Sequence, residues 1–161
     1  MRDRTRVMHY VAHGTLDVPE FANAAYEAAK SYLTHDPVER RLFHRLEDAP
    51  ARHYRLAINH RNDDHFDPNT DTIAWDPYSA LRTTNGSRQS PALGLGHEVD
   101  HAVESPRAEA RLTARADANY DNREERRVIL GSETHAAHTL HEGTRHDHTG
   151  SAYRVASPTA R

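Results

Sequence analysis

His97-Glu98-Val99-Asp100-His101 sets two imidazoles four residues apart with a carboxylate between them. Residues at that spacing share one face of a helix, so both rings can grip a single cation. Glu98 then stands beside the water such a cation would hold and can take its proton. That is hydrolytic zinc chemistry, the attack of an activated water on a polarised carbonyl. The chain carries 14 histidines, enough for the pattern to arise from composition, so its surroundings must decide. Leu93, Leu95, Val99, Ala102 and Val103 make Pro91 to Glu104 read as a helix buried around much of its circumference, where unpaired polar side chains are costly. One zinc ion satisfies both histidines and the glutamate together. Asp100 occupies a position that is often apolar, and is expected to face solvent or a partner behind the ligands.

A third ligand must come from elsewhere. The extended pattern HExxHxxGxxH fails, because Glu104 and Arg107 stand where its glycine and histidine belong. The other common arrangement takes a glutamate from a following helix, roughly 20 to 40 residues on. Tyr120 to Ile129 offers Glu124 and Glu125; Glu125 is the chosen ligand and Glu124 its alternative.

The pentad together with Asn122-Arg123-Glu124-Glu125-Arg126-Arg127-Val128-Ile129-Leu130-Gly131 resembles the gluzincin-type metallopeptidases delivered as bacterial effectors and toxins. These include type III effector proteases and the metallopeptidase domains of polymorphic and type VI secretion toxins. A more remote similarity is to clostridial neurotoxin light chains, where the second Glu of a Glu-Glu pair supplies the third ligand. Carried onto this chain, that residue is Glu125. The resemblance runs from about Thr72 to Val155, and only the pentad within it is highly specific. It implies a zinc-dependent endopeptidase with one Zn2+ per chain, acting on a protein or peptide. It also implies a secreted effector or toxin working in a host cytosol or a target-cell periplasm, with a secretion apparatus or a cognate immunity protein as partner.

Arg145-His146-Asp147-His148 to Val155 resembles the ending of such domains. Zinc enzymes commonly add a cationic or phenolic donor that meets the oxyanion of peptide hydrolysis, and Arg145, His148 and Tyr153 are the candidates. The plain alternative is a polar turn before a short terminal strand. His135, His138 and His141 fall three apart and are expected to decorate a solvated face. Asp63, Asp64, Asp67, Asn69 and Asp71 lack the glycine and terminal glutamate of a calcium loop and read as an acidic turn. A second reading of the whole chain is a His-rich metal-binding or interaction protein without catalysis, which predicts several weak metals instead of one tight ion.

The elements that must position these groups follow from periodicity. Asp17 reads as a helix cap, with Phe21, Ala24, Ala25, Ala28 and Tyr32 recurring at helical spacing to about Leu33. Asp36-Pro37 restarts a helix whose buried stripe is Val38, Leu42, Phe43 and Leu46. Tyr54, Leu56 and Ile58 alternate as a strand, and Thr72 to Trp75 makes another; the latter is the candidate edge strand for an extended substrate. The polar loop from Thr83 to Ser90 leads into the zinc helix and can border its cleft. Arg107 to Ala118 reads as helix, and Asp121 opens the helix carrying Glu125. The expected class is α+β and zincin-like, with helices around a small antiparallel sheet.

At 161 residues, 36% hydrophobic and 28% charged, the chain suits one domain with a modest core, 1–161, its ends 1–15 and 157–161 flexible. A net charge of −3 without a basic reading motif argues against nucleic acid. With no cysteine, any metal must be held by nitrogen and oxygen. His9, His13 and Gly14 break the apolar run that a signal peptide needs, and no stretch approaches a membrane span.

Overall fold

The structure is a computed structural model that describes residues 8–161. It is α+β. The chain opens with the strand pair β1 (Tyr10–His13) and β2 (Leu16–Pro19), then a turn of 3-10 helix (Glu20–Ala22) enters α1 (Asn23–Leu33). The helix start expected at Asp17 is thereby corrected. Leu16 and Val18 alternate into the core while Asp17 turns out to His53, 2.8 Å away. Pairing with β1 on one side and β3 (Tyr54–Ile58) on the other outweighs the local capping pattern. α2 (Pro37–Glu47) starts as its sequence asks: Asp36 accepts from the backbone N–H of Val38 at 3.1 Å and of Glu39 at 3.0 Å. Leu42, Phe43 and Leu46 face the core.

With β4 (His65–Asp67) and β5 (Thr72–Trp75), these strands form a five-stranded sheet of order β1-β2-β3-β5-β4. The sheet is mixed, where an antiparallel one was expected. β3 runs parallel to β2, because α1 and α2 carry the chain back between them, and it also runs parallel to β5. Trp75 is therefore not on an edge strand. β5 lies between β3 and β4, and the buried Trp75 indole donates to the Pro91 carbonyl at 2.9 Å. The edge beside the helix with the pentad is β4, antiparallel to β5.

A second sheet, β10-β6-β7, joins β6 (Ser79–Arg82), β7 (Arg88–Gln89) and the late strand β10 (Ser151–Arg154). Between the sheets runs α3 (Pro91–Val103), capped by Ser90, whose hydroxyl accepts from Leu93 N–H at 3.3 Å. Every residue of α3 except Gly94 is buried, and it packs on α1, α2 and β5. Beyond it, α4 (Pro106–Thr113) buries nothing fully and ends short of the expected Ala118. The small hairpin of β8 (Ala116–Asp117) and β9 (Asp121–Asn122) leads into α5 (Arg123–Val128), capped by Asn122 and not by Asp121. A kink at Gly131 (φ −95°, ψ −107°) joins α5 to α6 (Thr134–Thr139). The terminal residues 157–161, expected to be flexible, pack at the start of α3, where the buried Pro158 accepts from Ala92 N–H at 2.8 Å. Of the segment 1–15, residues 1–7 lie outside the described residues and Tyr10–His13 is strand. No helix among the described residues is long and apolar enough to cross a membrane.

Candidate metal centre

α3 presents His97 and His101 one turn apart, and α5 brings Glu125 against them. The Nε2 atoms of the two rings are 3.0 Å apart, and Glu125 Oε2 stands 2.7 Å from His97 Nε2 and 3.2 Å from His101 Nε2. This buried group could hold a metal ion.

The far sides of the rings decide what that convergence means. His97 Nδ1 lies 2.8 Å from Glu133 Oε1, and His101 Nδ1 lies 2.7 Å from Glu124 Oε2. A carboxylate at Nδ1 calls for the proton there, which turns an Nε2 lone pair toward the centre from each ring. Two lone pairs and a carboxylate oxygen facing one another repel unless a cation sits among them. Without a cation, an added proton between the rings and Glu125 relieves that repulsion. Burial opposes charge on His97, but Glu125 and Glu133 outweigh it and raise its pKa to about 9. His101 goes up to about 10 on the same balance, with Glu124 and Glu125 winning over burial. Metal binding must displace those protons.

The carboxylates behind the rings are held in turn. Arg127 donates to Glu124 from Nε at 2.8 Å and Nη2 at 2.9 Å, and from Nη1 to Asp100 at 2.8 Å; Ser132 also donates to Asp100. Asp100 thus belongs to the buried support of the site and not to solvent. Arg145 donates to Glu133 through Nε and Nη2, each at 2.8 Å. Burial alone would raise Glu133, but His97 and Arg145 bring it down to about 2. Glu124 is likewise lowered against its burial by Arg127 and His101. The pair Glu124 and Glu125, interchangeable in sequence, is therefore divided: Glu125 enters the centre and Glu124 holds a ring from behind.

Glu98 points into the cleft, its Oε1 4.0 Å from His97 Nε2. Two cavities of about 350 Å³ and 280 Å³ flank the centre, and Asp64, Glu98 and His148 line both. His148 bridges the site's rim, with Nε2 3.2 Å from Glu125 and Nδ1 2.6 Å from Asp121. Its pKa is raised by Glu125 against the cost of burial, with Asp121 adding to the effect.

The three candidates for the oxyanion donor are placed differently: His148 and Arg145 both line the cleft and both pair with carboxylates, whereas Tyr153 does not line it. Arg145 lines the cleft, but both nitrogens aimed inward are spent on Glu133, so it supports His97 from behind. Tyr153 is placed elsewhere. It pairs with Ala80 across β10 and β6, whereas Gln89 pairs with Leu81, so the two side chains lie on opposite faces of that sheet. Gln89 reaches Glu133 at 3.3 Å, while the Tyr153 ring packs on Arg88 and its buried hydroxyl has no hydrogen-bond partner among the described residues. His135 bonds Asp36 at 2.5 Å, and neither it, His138 nor His141 belongs to the metal group.

Sequence reasoning missed Glu133, Gln89, Asp121 and Asp64. On a straight helix Glu133 would point roughly 80° away from Glu125, and the Gly131 kink alters that register. Asp121 passed for a helix opener. It instead adopts φ +67°, a turn conformation that leaves its carboxylate to His148. Asp64 was hidden among the acidic residues of a turn.

Compared with known proteins, the chain matches no family model, no curated protein and no solved structure.

Proposed function

We propose that this protein is a zinc-dependent endopeptidase of zincin-like design, with His97, His101 and Glu125 as ligands. The observation that carries the reading is the convergence of two Nε2 atoms and one carboxylate oxygen beside Glu98 on an open cleft. The donor set, two imidazoles and a carboxylate with no thiolate, fits a catalytic zinc. Bound there, zinc would supply a Lewis acid and lower the pKa of a water towards about 7.

The protein's own groups do the rest. Glu98 accepts the proton of the attacking water and passes it to the leaving amine. His148, held by Asp121 and with its pKa raised by Glu125, meets the negative charge that develops on the carbonyl oxygen. Glu124 and Glu133 fix the tautomers of the two ligands, while Arg127 and Arg145 hold those carboxylates ionised. The free edge of β4 supplies backbone groups on which an extended peptide can pair, the role that the sequence had suggested for the Trp75 strand.

Glu98→Gln should retain one zinc per chain by metal analysis while peptide hydrolysis falls at least about 100-fold. A variant that stays fully active would remove Glu98 as the base. Several weakly held ions and no turnover in the wild type would favour the non-catalytic metal-binding alternative. The resemblance to delivered effectors and toxins extends the reading to a secreted protein acting inside a host or rival cell. Expression of wild type and Glu98→Gln in cytoplasm and periplasm tests it, since toxicity should follow catalysis in one compartment only.

A further inference from the structure

We propose that Asp64 recognises a cationic nitrogen of the peptide substrate, favouring cleavage beside a Lys or Arg side chain; the proposal rests on the peptidase reading above. Asp64 lies where the chain enters the edge strand β4, at the junction of the two cavities. Its Oδ1 accepts from Asp76 N–H at 2.7 Å, which fixes the carboxyl. Its Oδ2 rests on α3, where a Cβ added at Gly94 would stand 2.8 Å away. Gly94 is four residues before Glu98, hence on the same helical face, so the missing side chain lets Asp64 sit one turn from the catalytic base.

The charges around this cleft pair off, with one exception. Glu133 holds Arg145, His148 spans Asp121 and Glu125, and Glu98 faces the metal ligands. Asp64 forms no ion pair among the described residues. Burial pushes its carboxyl up to about 8 despite the Asp76 N–H, and the nearby charge of Glu98 adds to the rise. The His97 ring is the countercharge acting on Asp64 and makes no direct ion pair with it, so an incoming ammonium or guanidinium would be its first contact partner of opposite charge. The larger cavity beside Asp64 is lined by the uncharged Asn62, Ser79, Ala80 and Leu81 and also by Glu98, Glu133, Arg145 and His148, whose charges face partners of their own. Leu81, on the same sheet face as Gln89, can carry the alkyl stem of a long basic side chain whose head reaches the carboxyl. A free amino terminus offers the same cationic nitrogen from a different source.

The test uses zinc-loaded full chain and N-acetylated peptides that differ only in Arg, Lys, citrulline or norleucine beside the cleavage point. A matching set with free amino termini accompanies them. The wild type should cleave the basic acetylated peptides with kcat/KM at least about ten-fold above the citrulline peptide, since hydrogen bonds to charged groups carry that much. In Asp64→Asn, which keeps the Oδ1 acceptor, that ratio should collapse to near unity. A preference that follows only the free amino terminus would assign the carboxyl to the chain end and overturn side-chain recognition. Equal losses for every peptide in Asp64→Asn, with the ratio intact, would overturn recognition altogether. Binding to zinc-loaded Glu98→Gln separates the two readings. If no peptide is ever cleaved but the arginine peptide still binds more tightly than citrulline in an Asp64-dependent way, the peptidase reading fails and the cation site stands.

Discussion

The two faces of α3 treat buried carboxylates in opposite ways. On the cleft face, Glu124, Glu125 and Glu133 are surrounded by histidines and arginines that hold them ionised against burial. On the back, Glu39 of α2 is fully buried against Gly96, and neither oxygen has a hydrogen-bond partner among the described residues. Burial and the nearby charges of Asp100, Asp36 and Glu133 raise its pKa well above 4.5. The same residue type is thus pushed toward the anion in one place and toward the neutral acid in the other. Donors decide between them, and burial alone does not.

The contrast breaks most severely where a paired carboxylate is taken from the cleft face. Glu133→Gln leaves the Arg145 charge buried without its partner, at a cost of about 3 to 5 kcal/mol in urea unfolding. It also loosens the hold on His97, and metal affinity measured by chelator competition should fall by about 10- to 100-fold. Retention of both stability and affinity would mean that the pairing does not organise the site.

The next effect is a pH dependence of the metal-free protein. The folded pKa values of His97 and His101, about 9 and about 10, lie above the ordinary 6.5. Their contribution to stability is fully present below 6.5 and is lost as pH rises through 9 to 10. The Tm of chelated protein should therefore fall across that window, and zinc-loaded protein should resist the fall. Parallel curves with and without zinc would contradict a shared proton and metal site.

The smallest change sharpens the back face. Because the folded pKa of Glu39 is raised, its contribution is greatest below 4.5 and drains away as pH rises above that value. Glu39→Gln resembles the neutral acid and cannot lose a proton, so the Tm of the variant should gain on that of the wild type from acid to neutral pH. A constant difference would mean that Glu39 stays ionised in the fold.

Much of this was legible in the chain before folding, for reasons that differ by element. α2 and α3 announce themselves through caps, proline at the first turn and helical spacing, all local signals. The start of α1 misled, because Asp17 caps nothing once β2 is claimed by neighbours distant in sequence. The sheet's mixed direction and the interior place of β5 were equally out of reach, since strand order is a matter of long-range pairing.

By itself, the order of residues determined that two imidazoles and a carboxylate stand together on one helix, since a helix links spacing to direction within a few residues. It also narrowed the third ligand to two adjacent glutamates. Only the packing of α5 on α3, with the kink at Gly131, decided that Glu125 enters the centre and that Glu124 and Glu133 stand behind the rings, and only the pairing of β10 with β6 turned Tyr153 away. Those outcomes depend on which side of an element meets a distant neighbour, and nothing within a short window of sequence carries that information.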